Sequence, residues 1–286
     1  MLTCPTKDAI RARVSALKRE GKSVVLVPTM GFLHDGHLAL VRAAAKLADC
    51  VIVSIFVNPT QFGPNEDLEA YPRDPDRDLA LLRDEGVDAV FLPSVEEMYG
   101  AAGDTLVDVP ELSSILQGVS RPDHFRGVAT VVTKLFNVVQ PDAAVFGEKD
   151  YQQLALIRQM VRDLDMPLTI AGHPTVREMD GLAMSSRNVR LTHGHRVAAT
   201  VLYKALCLAE LAVLNRVSIE DLEALIRDKI ETESSADIQS VAIRDATTLG
   251  PLTGELRGPA VALLAVRFGS VLLIDQRVIL PTAPSA

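Results

Sequence analysis

The alternation of short apolar runs with helical patterns constrains the fold of this chain more than any other feature. Five runs in the first two thirds are short and largely apolar, at residues 24–27, 51–57, 89–92, 143–146 and 168–170. Four intervals between them show helical periodicity, at residues 37–48, 76–85, 128–139 and 151–164. Apolar runs of this kind are typical of strands buried on both faces of a parallel sheet. The alternation therefore predicts an α/β fold with a Rossmann-like, doubly wound parallel sheet.

The pattern changes near residue 175. Two helical segments at residues 198–214 and 219–231 precede three strand-like segments at 240–243, 260–266 and 271–274, with a tight hairpin at 268–270. Helices followed by hairpin strands indicate an α+β arrangement. We therefore expect two domains, a Rossmann-like domain at 1–175 and a smaller C-terminal α+β domain at 176–286.

Charge and cysteine content limit the partners and the compartment. The 286-residue chain has a formal net charge of −8, which disfavours non-specific binding to nucleic acid or to anionic membranes. Its three cysteines, Cys4, Cys50 and Cys207, are far apart and form no CxxC pair. No uninterrupted apolar stretch approaches the roughly 18 residues of a membrane span. We expect a cytoplasmic protein without nucleic-acid or membrane partners.

The most informative segment is residues 28–37, PTMGFLHDGH. It follows a predicted strand and opens a predicted helix, which is where open α/β sheets bind ligands and where helix N-termini attract phosphate. Gly31 and Gly36 allow the backbone to approach a ligand closely. His34 and His37 are three residues apart and face one side of the helix start, where imidazole donors can stabilise phosphoryl oxygens. A nucleotide site is predicted here, although the chain has neither a P-loop nor a GxGxxG fingerprint.

Two short motifs resemble those of a known superfamily. The H-x-G-H element at residues 34–37 resembles the HIGH element of adenylate-forming nucleotidyltransferases and class I aminoacyl-tRNA synthetases. Residues 184–188, MSSRN, resemble their second phosphate loop, which usually reads KMSKS. The resemblance implies that two histidines and the Arg187 cation contact the phosphates of ATP.

Five longer blocks narrow the resemblance to the pantothenate synthetase family, across nearly the whole chain. They are PTMGFLHDGH at 28–37, SIFVNPTQF at 54–62, RPDHFRGV at 121–128, FGEKDYQQL at 146–154 and DGLAMSSRN at 180–188. The resemblance implies that pantoate and ATP form pantoyl-adenylate and pyrophosphate, after which β-alanine displaces AMP. It also implies a homodimer. We further expect the domain at 1–175 to bind nucleotide and pantoate, and the domain at 176–286 to close as a lid about a hinge near residues 176–180.

The resemblance assigns roles residue by residue. It implies a catalytic set of His34, His37, Lys149, Ser185, Ser186 and Arg187, with His37 as the proton donor to the phosphates. It implies further ATP contacts at Met30, Gly31, Phe32, Leu33, Asp35, Gly36, Gly147, Glu148, Asp150, Val176 and Met184. The guanidinium group of arginine is always charged and can donate two hydrogen bonds to phosphate oxygens at once, which suits Arg187 to binding the phosphates of ATP.

The acid substrate requires polar groups and an apolar surface. The amides of Gln61 and Gln153 suit hydroxyl and carboxylate groups, and the resemblance assigns both to pantoate and Gln61 also to β-alanine. Asn58 is a candidate substrate-binding residue on the nucleotide side, and Arg121 is a candidate contact for the phosphates. Met30 and Phe62 are candidates for apolar contact with the gem-dimethyl group of pantoate.

Mg²⁺ is expected to bridge the phosphate oxygens of ATP while keeping several waters. Asp78 is the candidate for an indirect contact with this ion. Arg77 occupies a position where another acid is expected, so the protein side of the metal site has one carboxylate fewer than the family pattern.

Three other functions remain alternatives. A nucleotidyltransferase on the same fold would keep AMP in its product, whereas a ligase releases it. A class I tRNA synthetase fragment would need a basic RNA-binding surface, which the acidic charge disfavours. A non-catalytic nucleotide-binding module is disfavoured because the polar residues at positions 34, 37, 149 and 187 are all present.

Overall fold

The computed structural model describes residues 1–64, 66, 68–100, 103–215 and 217–281. The chain divides into two compact units. Unit 1 comprises Met1–Gly147 and Gln152–Pro174, and unit 2 comprises Glu148–Tyr151 and Thr175–Ala286.

Unit 1 is built on a six-stranded parallel sheet. Its strands are β1 (Leu2–Cys4), β2 (Val24–Thr29), β3 (Cys50–Ile55), β4 (Ala89–Phe91), β5 (Ala143–Gly147) and β6 (Thr169–His173), in the order β1-β4-β3-β2-β5-β6. The side chains at 24–27 in β2 are fully buried, as expected for a strand covered on both faces. The predicted Rossmann-like parallel sheet is confirmed. Strand β1 was not predicted, because it has only three residues and Leu2 is exposed.

Several α-helices accompany this sheet. Those in the described part of the chain are α1 (Lys7–Arg19), α2 (Asp35–Ala44), α3 (Pro75–Asp84), α4 (Val95–Tyr99), α5 (Pro110–Ser113), α6 (Gln117–Ser120), α7 (His124–Val139) and α8 (Tyr151–Asp163). Side chains of Thr6, Asp74 and Ser94 cap α1, α3 and α4 by accepting backbone N–H bonds in the first turn, which satisfies donors that a helix leaves unpaired.

The strand order places a ligand crevice beside β2. From β2 the chain proceeds to β3 and β4 on one side, whereas β5 and β6 lie on the other. The connections therefore diverge at the β2/β5 pair, and open α/β sheets bind ligands outside the carboxyl ends of the strands at such a switch point. The segments that leave this edge are the one after Thr29 and the one after Gly147.

Unit 2 has an α+β architecture. Its helices are α9 (His193–Ala198), α10 (Val201–Ala212) and α11 (Ile219–Glu231), and its antiparallel sheet has the order β7 (Ala236–Asp245), β8 (Ala260–Phe268) and β9 (Val271–Ile279). The predicted C-terminal α+β arrangement and its hairpin are confirmed. The core contains Leu202, Leu222, Ile226, Val266 and Phe268.

One helical stretch of unit 2 combines unusual length with high mean hydropathy. His193–Asn215, which comprises α9, α10 and a final 3₁₀ turn, is long and apolar enough to cross a membrane by length and composition alone. Arg196, Lys204 and Glu210 lie within it, so it is a helical stretch of high mean hydropathy and not an uninterrupted apolar run. Half of its most apolar 18-residue window is buried, and Leu202, Leu206 and Ala209 lie in the core of unit 2, which is typical of a core helix in a globular unit.

Candidate active site

The β2–α2 loop, residues 30–34, begins with an unusual backbone. Gly31 has φ +81° and Phe32, which carries a side chain, has φ +49°. Left-handed conformations cost a residue with a Cβ roughly 1–2 kcal/mol. The Thr29 hydroxyl donates to the Ser54 carbonyl at 2.8 Å and accepts the Gly31 N–H at 3.3 Å. The loop is therefore tied to β3 at its start.

Two neighbouring residues of α3 hold the middle of the loop. The Asp78 carboxylate accepts the N–H of Phe32 and the N–H of Leu33, both at 2.7 Å. Asp78 is only 1% exposed; its burial raises the pKa of the carboxyl group although the two backbone bonds act in the opposite direction. The Arg77 guanidinium donates to the Leu33 carbonyl at 2.8 Å and lies 5.7 Å from the centre of the Phe32 ring.

His34 and His37 form a reciprocal cap at the start of α2. His34 is the N-cap residue, and its Nδ1 accepts the Gly36 N–H at 3.2 Å, whereas His37 Nδ1 accepts the His34 N–H at 3.2 Å. Their ring centroids are 4.0 Å apart. Because each Nδ1 accepts a backbone N–H, the hydrogen of a neutral ring is assigned to Nε2. Both rings can therefore act as Nε2–H donors.

Gln61 is oriented by a buried network in unit 1. The Asn58 amide donates to Gln61 Oε1 and to the Gly127 carbonyl, each at 3.1 Å, and the Tyr99 hydroxyl donates to Asn58 Oδ1 at 2.6 Å. The Gln61 amide donates to Met30 Sδ at 3.2 Å. The structure thus brings together Met30, Asn58 and Gln61 of the predicted site. Asn58 is 1% exposed, and its predicted substrate contact stays a prediction.

Arg121 lies in a second, partly buried network next to Gln61. It pairs with the Glu66 carboxylate through Nε and a terminal nitrogen and contacts His124 Nε2 at 3.1 Å, while His124 Nδ1 lies 2.8 Å from the Gln61 carbonyl. Burial by itself raises the pKa of Glu66, but the hydrogen bonds and charge of Arg121 outweigh burial and hold the pKa below its usual value. The predicted substrate contact of Arg121 stays a prediction.

Gly127 allows α7 to approach the 3₁₀ turn Pro59–Gln61. A Cβ at this position would lie 2.4 Å from the Thr60 carbonyl oxygen and 2.8 Å from Gln61 Cα. Only glycine therefore fits between the helix and the turn that carries Gln61.

The two glutamines at the start of α8 differ in their surroundings. Gln152 is 1% exposed, donates to the Leu112 and Ile115 carbonyls at 2.9 and 2.8 Å, and accepts the Gln117 N–H at 3.2 Å. It holds the segment that contains α5 and α6. Gln153, the predicted pantoate contact, is half-buried on the same helix, and its role stays a prediction.

Most of the remaining predicted residues belong to unit 2, whereas Gly147 ends β5 in unit 1. Glu148–Asp150 form a 3₁₀ turn, in which Lys149 is 19% exposed and its Nζ lies 3.8 Å from Asp150 Oδ2. Val176 accepts the Met184 N–H at 3.0 Å, and an isolated bridge pairs Arg177 with Ala183. Residues 176–184 thus fold back on themselves before the serine motif.

The serine loop, residues 184–187, is shaped by bonds from nearby in the sequence. Ser185 caps the 3₁₀ helix Ser186–Arg190 by accepting the Arg187 N–H at 3.3 Å. The Asn188 amide donates to the Ala183 carbonyl at 3.1 Å and to the Glu178 carboxylate at 3.3 Å. Ser186 is buried and Arg187 is half-buried.

Sequence reasoning missed several of these supporting residues. His124 lies inside the quoted block at 121–128, so its position carried a signal. Tyr99 follows no motif, and nothing in the sequence indicates its bond to Asn58. The sequence shows Arg77 only as a departure from the family pattern, because its contact with Leu33 depends on the packing of α3 against the loop.

Comparison with known proteins places nearly the whole chain in one family. A family model described as Pantoate-beta-alanine ligase matches residues 3–278. The pantothenate synthetase of Rhizobium meliloti (strain 1021) is 53% identical over 282 residues, which cover 98% of this chain and 97% of that relative. The pantothenate synthetase of Agrobacterium fabrum is 54% identical over 277 residues, covering 96% and 94% respectively.

Solved structures show the same similarity. Pantothenate synthetase from Thermus thermophilus has a TM-score of 0.92 and 46% identity, over 97% of this chain and 99% of that one. Pantoate-beta-alanine ligase from Francisella tularensis, described as complexed with Beta-gamma ATP and beta-alanine, has a TM-score of 0.80 and 34% identity over 97% of each chain. The resemblance expected from the sequence is confirmed, and the chain belongs to the pantoate–β-alanine ligase family.

Proposed function

We propose that this chain is an ATP-dependent ligase that condenses (R)-pantoate with β-alanine through pantoyl-adenylate and releases AMP and pyrophosphate. The observation that carries the proposal is the histidine pair at the start of α2, which leaves β2 at the switch point of the sheet. Family membership supports the same reaction, and a relative from Francisella tularensis is described in complex with an ATP compound and β-alanine.

The reaction needs positioning and charge neutralisation more than covalent help from the protein. A carboxylate is a poor electrophile until adenylation gives it a good leaving group. We propose that the Nε2–H groups of His34 and His37 donate to phosphoryl oxygens as charge develops there. Lys149 and Arg187 would supply fixed cations for the triphosphate, and Ser185 and Ser186 would add hydroxyl donors.

Pantoate would occupy the region around Gln61. The bond from Asn58 fixes the Gln61 carbonyl oxygen, so the Gln61 NH₂ group is directed toward Met30. This orientation supports a donor for the pantoate carboxylate or hydroxyls beside an apolar thioether. Gln153 would provide the second amide, and Gln61 would later contact β-alanine.

Mg²⁺ would enter with ATP, bound to the phosphate oxygens and neutralising their charge. Within residues 1–64, 66, 68–100, 103–215 and 217–281, no cluster of three or more His, Cys, Asp or Glu side chains could hold a metal. The protein groups therefore fit an ion carried by the nucleotide and do not fit a metal cage of their own.

The larger organisation of the enzyme is also a proposal. We infer that residues 1–175 bind the nucleotide and pantoate, and that residues 176–286 close over them as a lid that excludes water. Identical small-angle scattering profiles with and without ATP and pantoate would contradict the lid. We expect a cytoplasmic homodimer, and its mass in solution tests the dimer.

The reaction is tested by product analysis. The protein is incubated with ATP, Mg²⁺ and pantoate, with and without β-alanine, and AMP and pantothenate are followed by mass spectrometry. Both products should form together only in the complete mixture. A product that retains AMP would instead support a nucleotidyltransferase and remove the pantoate assignment.

The same assay tests the site with matched lysine variants. Lys149→Ala should abolish most AMP release, because a cation on the triphosphate is lost. Lys204→Ala removes an exposed lysine of α10 in the same unit and should leave the rate unchanged. Equal rates for the two variants would contradict the role of Lys149.

A further inference from the structure

The β2–α2 loop has a shape that needs external support. Two successive residues, Gly31 and Phe32, have φ of +81° and +49°. A side chain at such φ values is unfavourable unless the surroundings over-determine the conformation. The loop leads directly into His34 and His37, so a change in its backbone conformation would displace both imidazole rings.

Asp78 provides support from the buried face of α3. This face comprises Asp78 and Leu82, one helical turn apart, so a carboxylate occupies a position that the helical pattern assigns to the core. Each of its two oxygens accepts one backbone N–H, from Phe32 through Oδ2 and from Leu33 through Oδ1, at 2.7 Å. Bonds of N–H groups to a carboxylate are stronger than those between neutral groups.

Arg77 supports the same loop from the exposed side of α3. Its guanidinium donates to the Leu33 carbonyl at 2.8 Å and lies over the Phe32 ring. Leu33 is therefore held at both its N–H and its carbonyl by two consecutive residues. An ionised acid at this position could not donate a hydrogen bond to the Leu33 carbonyl. Arg77, which departs from the family pattern, therefore makes a contact that the expected acid could not make.

The same contacts argue against a metal contact at Asp78. Both oxygens are bonded to backbone donors, and the residue is 1% exposed. Its neighbour is a cation, which repels Mg²⁺. A carboxylate that reaches Mg²⁺ through water needs an exposed oxygen, whereas Asp78 faces the protein.

We propose, on the basis of the ATP site proposed above, that Asp78 and Arg77 are positioning residues that hold the β2–α2 loop for the nucleotide, and that Asp78 does not contact Mg²⁺. Displacement of catalytic groups by about 1 Å can reduce rates 100-fold. Loss of either residue should weaken nucleotide binding through the loop, whether or not Mg²⁺ is present.

Calorimetric titration with ATP alone, in EDTA and in excess Mg²⁺, tests this role. Asp78→Asn keeps the size of the side chain but replaces one acceptor with a donor, and should weaken ATP binding about tenfold, a change of roughly 1.4 kcal/mol, in both buffers. Arg77→Ala should weaken it about threefold in both, and the matched control Asp76→Asn, an exposed carboxylate in the same turn, should change neither.

The outcomes separate the alternatives. A loss of affinity for Asp78→Asn only in Mg²⁺ would mean a metal contact and overturn the proposal, as would unchanged affinity in both buffers. If Asp78→Asn proves unfolded by chemical denaturation, Arg77→Ala carries the test, because its side chain is exposed. Failure of the unchanged protein to bind ATP would instead remove the proposed function.

In the steady state, the proposal predicts a specific split of kinetic constants. Arg77→Ala should raise the KM for ATP while the KM for β-alanine stays unchanged, and the Mg²⁺ concentration for half-maximal rate should not move. A general loss of structure would alter all three values together, which would contradict a positioning role.

Discussion

The β2–α2 loop of unit 1 and the serine loop of unit 2 are held in different ways. Asp78, which bonds to the N–H groups of the first loop, lies 45 and 46 residues away in the sequence. In contrast, Ser185 bonds to Arg187 and Asn188 bonds to Ala183 and Glu178, all within ten residues. The first loop thus depends on the tertiary fold, whereas much of the second is determined by local capping. Substitutions should therefore have larger and more distant effects in the first loop.

The largest effect is expected at His37. His37→Ala removes both a proposed donor to the phosphates and the acceptor for the His34 N–H, and we expect kcat to fall about 100- to 1,000-fold. His37→Gln is the control, because glutamine at this position also accepts the N-cap N–H. It should recover the free energy of unfolding but not the rate. Recovery of the full rate would mean that His37 acts only through the cap.

Gly31→Ala tests the shape of the first loop. A Cβ there would lie 3.0 Å from Asp78 Oδ2 and 3.0 Å from Ile55 Cγ2, at a φ of +81°. We expect a loss of about 1–3 kcal/mol in the free energy of unfolding and at least a tenfold loss of activity.

Gly86→Ala is the matched control for backbone strain. Gly86 also has a positive φ, +75°, but has nothing within 4 Å of a Cβ, so it should lose only the roughly 1 kcal/mol of the left-handed backbone and keep its activity. Urea denaturation measures the free energy of unfolding of each variant, and AMP release measures its activity. Equal losses of activity in Gly31→Ala and Gly86→Ala would contradict the importance of the Asp78 contact.

Ser185→Ala should have a smaller and more local effect. It removes the acceptor for the Arg187 N–H, and loss of such a cap costs about 1 kcal/mol. Hydrogen exchange at the Arg187 amide should quicken while amides of unit 1 keep their rates. Ser185→Asn retains an acceptor and should restore the slow exchange. Faster exchange throughout the chain would show that this loop is not locally held.

The smallest effect concerns pH. Because the pKa of Glu66 is lowered in the folded state, its pairing stabilises the protein above the unfolded pKa of about 4.3 and loses this contribution as pH falls through the folded pKa. We expect Glu66→Gln to cost about 1 kcal/mol at pH 7 and nothing at low pH, where both forms are uncharged.

Asp180→Asn provides the comparison in unit 2. The Arg196 hydrogen bond lowers the pKa of Asp180 in the same direction, but the Asp180 side chain is 46% exposed, so solvent and salt screen the pair. Its pH-dependent contribution to unfolding should be smaller than that of Glu66. A larger pH-dependent loss of the free energy of unfolding for Asp180→Asn than for Glu66→Gln would contradict this expectation.

The same division between local and distant contacts explains what the sequence could predict. Strands β2 and β3 were found because they are apolar on both faces. Strand β9 was predicted only to residue 274, although it continues to Ile279, because Asp275 and Gln276 interrupt the apolar pattern. Asp275 is nevertheless buried there, since Arg177, 98 residues away, pairs with both of its oxygens at 2.7 and 2.9 Å.

In the candidate site, the sequence predicts which residues bind the nucleotide, but it does not predict which other side chains hold them in place. The histidine pair lies in one contiguous segment, where its spacing at a helix start indicates a nucleotide site, whereas the MSSRN motif is indicated by its resemblance to the KMSKS loop. The predicted helix began at residue 37, whereas α2 begins at Asp35, because a histidine side chain is an unusual N-cap. The contacts of Asp78 and Tyr99 depend on which elements pack together, and no local pattern encodes them.

The apolar stretch His193–Asn215 also affects how this protein unfolds. In the folded state half of its most apolar window is buried in unit 2. Once unit 2 opens, that window is presented to solvent, to chaperones and to lipid surfaces as a segment hydrophobic enough to associate with any of them. We expect refolding then to compete with aggregation, and the lifetime of the enzyme during heating to follow the rate at which unit 2 unfolds.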